Sequence, residues 1–517
     1  MNRKQKLELT WIGKENRPRL EPRILLEDPE KSYHAPHRVS DHDIFDNRLI
    51  FGDNLLALKA LEQEFAGKVK CIYIDPPFNT GSAFKYYDDG LEHSLWLSLM
   101  RDRLDILSRL LRDDGAIFVH IDYNEEAYLR VLLDEVFGRS NFRNTIVVSR
   151  VKKSIRERVE VKALNFAHDI LVFYAKSDAC LIKPPTKPVE RKERWHAFDA
   201  PGVRSTMSYE LFGHRPPPNR HWQYDEEKAK AFIASGDLRP NPKTGKPQYR
   251  IPAATEDICD TVWTDIVASA FNWDFPGGEK NEKLIQRILE MVTNPGDWVL
   301  DSFAGSGTTG AVAHKMGRRW IMVELGEHCH THIIPRMKKV IDGTDQGGIS
   351  KAVNWKGGGG FRYYRLASSL LEKDKWGNWV INKSFNPAML AEAVCKLEGF
   401  TYAPSDTVYW QHGYSTERDF IYVTTQNLSH EQLQHLSDEV GPSRTLLVMC
   451  SAFRGKPDRY PNLTVKKIPK TVLARCEWGR DDYSLRVENL PKVPPEPGQQ
   501  LLFDRNGKSI DVAGRRG

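Results

Sequence analysis

From about Arg48 the chain alternates short apolar runs with longer stretches that repeat apolar residues at helical spacing. After Arg48-Leu-Ile-Phe51, the run Leu55-Leu-Ala-Leu-Lys-Ala-Leu61 predicts a helix. Val69-Lys-Cys-Ile-Tyr-Ile-Asp75 is short, apolar and stopped by Pro76 and Pro77, which predicts a buried strand ending at Asp75. An amphipathic helix over 94–111 follows, then a turn at Asp113-Asp-Gly115 entering a strand that ends at Asp122, then a helix over 125–137. The rhythm breaks at 150–262 and resumes with a helix over 282–292, a turn at Asn294-Pro-Gly-Asp297 and a strand over 298–301. A glycine-rich loop with a helix and a strand over 319–324 close the pattern. Strands alternating with helices imply an α/β fold around a mainly parallel sheet.

The interruption differs in texture. Basic residues cluster there (Arg150, Lys152, Lys153, Arg156, Arg158, then Arg191 to Arg194), prolines gather, and Trp195, Trp222, Tyr224 and Tyr249 sit among the charges. Residues 1–46 are polar and rich in Pro and Arg, and read as an extended arm. Lys356 to Gly360 marks a boundary, 361–490 carries further strand and helix patterns expected to form a small α/β domain, and the tail beyond 491 is expected to be loose. A length of 517 residues suits about three domains at roughly 150 residues each.

Composition adds limits. Forty per cent hydrophobic and 28% charged residues are enough to build a large core, which excludes a disordered chain. The net charge of +6 permits a nucleic-acid partner without requiring one. The seven cysteines form no CxxC pair, so a disulfide framework or structural zinc is not expected and a reducing cytoplasm fits. Neither a secretory h-region nor an apolar run of ~18 residues is present.

Two strand ends carry candidate chemistry. At the first, Asp75-Pro-Pro-Phe78, the acceptors suit an exocyclic amine such as adenine N6, a poor nucleophile because its lone pair is delocalised into the ring. The Asp75 carboxylate can accept one N–H and the Pro76 carbonyl the other, localising that lone pair. Pro76 and Pro77 stiffen the backbone and add no competing donor, and Phe78 can stack on an extruded base. A rigid strand-to-loop turn is the plainer alternative. At the second, Val299-Leu-Asp301-Ser-Phe303-Ala-Gly305-Ser-Gly307-Thr-Thr-Gly310 reads as strand, glycine loop and helix start. Asp301 can hold an amino acid's ammonium, and Glu324, ending the next strand, can hold ribose hydroxyls. The glycines also match the dinucleotide fingerprint, so a nicotinamide enzyme is the rival reading; it leaves Asp75 to Phe78 unexplained. The Gly-Lys-Ser/Thr ending of a phosphate loop is missing.

Taken together the two runs resemble the amino-methyltransferases of DNA, and their order, with a long insert between, resembles the β class. Gly52-Asp-Asn-Leu-Leu-Ala-Leu58, Ile72 to Gly81, Asp113-Asp-Gly-Ala-Ile-Phe118, Gly357 to Arg365 and Phe400 to Asp406 are similar to the modification (Mod) subunits of type III restriction systems. The resemblance implies a Rossmann-like S-adenosylmethionine-dependent methyltransferase sheet, with 47–149 as its catalytic half, 263–345 as its cofactor-binding half and 150–262 as the target-recognition insert. It assigns the target base to Asp75, Pro76, Pro77 and Phe78. It assigns S-adenosylmethionine to Asp301, Phe303, Gly305, Gly307 and Glu324, with Asp53 and Lys280 nearby. It implies double-stranded DNA as partner, a homodimer, a restriction (Res) helicase-nuclease subunit, and partner or dimer contacts for 361–490. Phe78 stands where the family usually has Tyr, which keeps stacking, loses a hydroxyl and leaves cytosine N4 open as the target. Phe275-Pro-Gly-Gly-Glu-Lys280 departs from the family's Pro-Lys-Pro-like run. Another reading makes the chain mainly a recognition subunit for the nuclease. Glu327-His-Cys-His-Thr-His332 is read as a polar helix start and not a metal site.

Overall fold

The computed structural model describes residues 8–77, 89–150, 167–270 and 279–484 and the two-residue strands Leu502–Phe503 and Ser509–Ile510. One compact unit is Lys183–Asp265, and the chain on either side of it builds the other.

The larger unit is organised by one twisted sheet. Nine of its eleven strands, in chain order, are β1 (Leu25–Glu27), β2 (Asn47–Phe51), β3 (Val69–Ile74), β4 (Leu111–Ile121), β5 (Phe142–Ser149), β6 (His168–Ala175), β7 (Trp298–Asp301), β8 (Arg319–Glu324) and β9 (Gly360–Leu366). Between them run helices α1 (Asn54–Phe65), α2 (Asp89–Leu110), α3 (Glu126–Phe137), α4 (Glu282–Val292), α5 (Thr308–Lys315) and α6 (Ile334–Ile341). In space the order is β1-β9-β2-β8-β7-β3-β4-β6-β5. The run from β9 to β4 is parallel throughout, while β6 and β5 on one side and β1 on the other are antiparallel. Six consecutive residues of β3 are buried, as a central parallel strand covered on both faces requires.

Local chemistry sets the helix starts. The Asp53 side chain caps α1 by accepting from the N–H groups of Leu55 (2.9 Å) and Leu56 (3.1 Å). Asn281 caps α4 in the same way through Lys283 N–H at 3.0 Å. The helix α5 starts from Gly307, whose φ of 79° is left-handed and favours glycine. The expected turn at Asp113 to Gly115 lies within β4, where pairing with β3 jumps from Val69–Leu111 to Cys71–Ala116. Lys70 anchors that break by donating to Asp114 Oδ2 at 2.9 Å.

Two of the outer segments differ from the sequence reading in placement. The arm is not free of the core: β1 and Tyr33–His34 pair with β9, and Trp11 is buried with the residues of β3 and α2. The strand starting at Gly360 extends the main sheet beside β2, so the separate five-stranded sheet begins only at Thr401–Tyr402. That sheet carries a core of its own built on Leu446, Val448 and Leu433. The tail beyond 491 lies outside the described residues except for the paired strands Leu502–Phe503 and Ser509–Ile510.

The unit Lys183–Asp265 has a small core of Phe198, Leu211, Trp222, Ala229 and Leu238, with Tyr224 and Tyr249 packed against it. Most of the aromatic texture of the insert is therefore structural. Trp195 differs: it is only partly buried, and the Arg239 guanidinium lies 3.7 Å from its ring centre. Residues 151–166, which hold Lys152, Lys153, Arg156 and Arg158, lie outside the described residues.

A buried ion cluster locks α4, α5 and α6 behind the glycine loop. Lys315 at the end of α5 is fully buried and sits 2.8 Å from both Glu282 and Asp345, while Arg336 bridges Glu279 (3.1 Å) and Glu282 (2.9 Å). Removing one member of such a set strands the others as uncompensated buried charges. Lys315→Met is therefore expected to lower stability by about 3 kcal/mol in urea unfolding, and a loss below about 1 kcal/mol would contradict this account.

Candidate active site

Strands β3 and β7 are neighbours, yet their chains leave in opposite directions, β3 through α2 to β4 and β7 through α5 to β8. Such a switch point opens a crevice at the carboxyl ends of the two strands, and this is where an open α/β sheet binds ligands. Asp75 follows β3 there, and Asp301 ends β7. A cavity of about 330 Å³ occupies the crevice, lined among others by Asp53, Asp75, Pro77, Phe303, Gly305, Glu324 and His328.

Asp75 is partly buried. Lys280 Nζ lies 3.1 Å from its Oδ2, while Oδ1 is buried and has no hydrogen-bond partner among the described residues. A buried carboxylate oxygen without a donor is costly unless a ligand supplies one. Pro76 is buried, and the carbonyl of Pro77 accepts from Trp96 Nε1 at 3.0 Å, which holds the turn after the strand. Phe78 lies outside the described residues.

Asp301 is only 2% exposed, and it accepts from Thr309 Oγ1 at 2.6 Å and from Phe303 N–H at 2.9 Å. Burial pushes its carboxyl up to about 7; the two hydrogen bonds oppose the shift and the charges of Asp75 and Glu324 add to it. Gly305 and Gly307 have φ of 53° and 79°, and a side chain on Gly307 would press on Ile333. Glu324 ties the loop down: Oε2 accepts from Gly305 N–H at 2.8 Å, and Oε1 accepts from Gly326 N–H at 2.8 Å and lies 3.1 Å from His328 Nε2.

The structure brings Asp75, Asp301, Phe303, Gly305 and Glu324 together, and gives two of the sequence candidates other partners. Asp53 lines the cavity, but its carboxylate is engaged by the α1 cap and by Tyr483 N–H at 2.8 Å, with Arg103 at 3.6 Å. Lys280 carries its ammonium to Asp75.

Several residues went unnoticed in the sequence. Tyr73 Oη lies 2.9 Å from His120 Nδ1, and His120 Nε2 lies 3.1 Å from Asp169 Oδ2, a buried polar chain joining β3, β4 and β6 beneath Asp75. Burial pushes His120 below its usual value, and the Lys280 charge adds to this. The available signal was a His within the apolar Ala116-Ile-Phe-Val-His-Ile121 and an Asp heading Ile170-Leu-Val-Phe173. Arg103 in α2 donates to Asn54 Oδ1 (2.6 Å) and to the Tyr483 carbonyl (3.2 Å), closing the strap 481–484 onto the cleft. Nothing local in the sequence announces that contact. The histidines after β8 diverge: His328 goes to Glu324, while His330 lies 2.8 Å from Tyr363 Oη.

A doubly wound sheet with an acidic, glycine-lined crevice at its switch point defines an α/β protein with a strand-end ligand cleft. A family model described as DNA methylase matches residues 69–335, and the chain belongs to that family. It is 33% identical over 413 residues to the probable type III restriction-modification enzyme HindVI Mod subunit of Haemophilus influenzae, covering 64% of this chain and 55% of that protein. To the EcoPI Mod subunit of Escherichia phage P1 it is 34% identical over 445 residues, 66% of this chain and 65% of the other. To the type II methyltransferase M.EcaI of Enterobacter cloacae it is 33% identical over 314 residues, covering 54% and 67%. The chain thus spans about half the length of the HindVI relative.

The raised Asp301 carboxyl has a pH signature. Between its ordinary value near 4 and about 7 the folded state holds a proton that the unfolded chain has released, so stability falls as pH rises across that window. The expected difference is on the order of 3 kcal/mol, and Asp301→Asn should remove it. Chemical unfolding of the unliganded protein from pH 4.5 to 7.5 reads this as diverging slopes; parallel curves for wild type and variant would show that Asp301 is not raised.

Proposed function

We propose that the chain moves a methyl group from S-adenosylmethionine to the N6 amine of an adenine flipped out of duplex DNA, as the modification and recognition subunit of a type III restriction-modification system. The observation that carries this reading is the buried Asp75 Oδ1 beside the glycine loop, which has no hydrogen-bond partner among the described residues. The chain's residues fit the cofactor. Asp301 offers a buried carboxylate for its ammonium, Glu324 an oxygen for its ribose, and Phe303 an apolar wall. Gly305 leaves the loop backbone bare: a Cβ there would meet no atom closer than 3.9 Å. The carboxylates of Asp53, Asp75 and Glu324 line one cavity, and their field favours a sulfonium cation. Bound there, the cofactor supplies an electrophilic methyl group.

The rest of the work falls to this chain. Asp75 Oδ1 accepts one N–H of the base amine and the Pro76 carbonyl the other, which localises the nitrogen lone pair. Lys280 holds Oδ2, so the carboxylate is fixed in orientation before the base arrives and Oδ1 is the oxygen left to serve it. The chain Tyr73–His120–Asp169 stiffens the strand ends from below. The cleft walls orient the reactants and thin the water around the amine. Flipping brings the base out of the stack to reach this site.

Duplex DNA is held through phosphate contacts by Lys and Arg, and the unit Lys183–Asp265, with Lys192, Arg194 and the Arg239–Trp195 pair at its surface, reads the sequence. A Res helicase-nuclease is the expected partner, a homodimer the expected assembly and the cytoplasm the expected compartment; among the described residues no helix is long and apolar enough to cross a membrane.

Incubation with tritiated S-adenosylmethionine and unmodified DNA, followed by nucleoside analysis, tests this. Label is expected in N6-methyladenine, with Asp75→Ala at least ~100-fold slower. Label in N4-methylcytosine would reassign the base. Equal transfer by Asp75→Ala would remove Asp75 from the mechanism, and no transfer by wild type would refute the activity.

A further inference from the structure

The clasp at the end of β8 gives a residue outside both motifs a function. Glu324 Oε1 accepts from Gly326 N–H at 2.8 Å and is also engaged by His328 Nε2 at 3.1 Å. A carboxylate oxygen offers about two acceptor sites, so Oε1 is saturated. Oε2 accepts from Gly305 N–H at 2.8 Å and keeps one site. Glu324 and His328 line the same cavity, and the imidazole is about one-third exposed.

The ring reaches Glu324 by folding back over the turn at Leu325-Gly326. A Cβ on Gly326 would stand 2.3 Å from His328 Cε1 and 2.5 Å from its Nδ1, so only glycine leaves room for the imidazole. The glycine and the histidine therefore form one device. Its product is a strand-end carboxylate in which one oxygen is filled by two protein donors and the other holds only Gly305 N–H.

We infer that His328 is a positioning residue for the nucleoside end of the cleft, holding Glu324 so that a single carboxylate oxygen is reserved for the ribose hydroxyls of the bound ligand. This rests on the nucleoside cofactor proposed above. Glu324 then does two jobs at once: Oε2 fixes the glycine loop and reads the sugar, while Oε1 is kept filled by Gly326 N–H and His328. Leucine at 328 leaves Oε1 held by Gly326 N–H alone and opens a second acceptor site on the carboxylate, which blurs sugar recognition even though the fold survives. Glutamine retains a donor of similar reach.

The test is calorimetric binding of S-adenosylhomocysteine and its 2′-deoxy and 3′-deoxy counterparts to the full chain without DNA. Wild type is expected to prefer the ribo ligand over at least one deoxy form by about tenfold or more, the scale of a hydrogen bond to a charged group. His328→Leu should lose most of that preference while keeping the melting temperature of the unliganded protein, and His328→Gln should retain most of it. Gly326→Ala, which displaces the ring without removing it, should behave like His328→Leu. A merely structural role would lower affinity for all three ligands alike and leave their ratio unchanged. An unchanged ratio in His328→Leu or Gly326→Ala overturns the inference, as does a His328→Gln variant as indiscriminate as His328→Leu. Binding by wild type with no ribose preference overturns the inference alone; no binding at all overturns it together with the functional reading.

Discussion

The parallel pairing of β3 with β7 is the constraint on which the site depends. Trp298, Val299 and Leu300 pair with Val69, Cys71 and Ile72, so segments more than two hundred residues apart end side by side. Because the two crossovers leave in opposite directions, a crevice opens at those ends. Asp75 then lines the crevice, and Asp301 is buried at the end of the adjoining strand. The energetic cost is visible in Asp301, whose burial raises its carboxyl to about 7. The surrounding structure sustains that cost through the cores on both faces of the sheet and the ion cluster of Lys315, Glu282 and Asp345 behind the loop.

Much of this was legible in the sequence because its cause is local. The six-residue apolar run before Asp75 and the prolines after it specify a buried strand with an abrupt end. Helix α3 ends at Phe137, helix α4 spans the expected residues, and β7 and β8 end on Asp301 and Glu324, since caps, glycines and periodicity all act within a few residues. What was not legible depends on tertiary proximity. Lys280 pairs with Asp75 across the fold, and no spacing rule foretells that. Asp53 lines the cleft, and the engagement of its carboxylate by the distant Tyr483 N–H is equally beyond any spacing rule.

The insert illustrates the limit of texture as evidence. Basic and aromatic residues interleaved along a chain are compatible with a nucleic-acid surface and equally with a small core in a charged shell. Trp222 is almost completely buried and Tyr249 packs against the same core, so they take the second role, whereas Trp195 under Arg239 stays near the surface. A small unit with few apolar residues needs its aromatic rings inside for stability. What it shows outward is chiefly charge.

The spatial strand order also bears on the birth of the protein. In the sheet β2 and β3 are separated by β8 and β7, which are synthesised some two hundred residues later. A nascent chain that has delivered β2 through β6 therefore carries an incomplete sheet with an open slot at its centre. The unfilled edge of β3 is apolar and hydrogen-bond hungry. Closure must await the segment through Glu324, and the long interval between the partners makes it slow. The architecture that creates the crevice thus leaves the growing polypeptide with an unpaired central edge until the segment through Glu324 has been made.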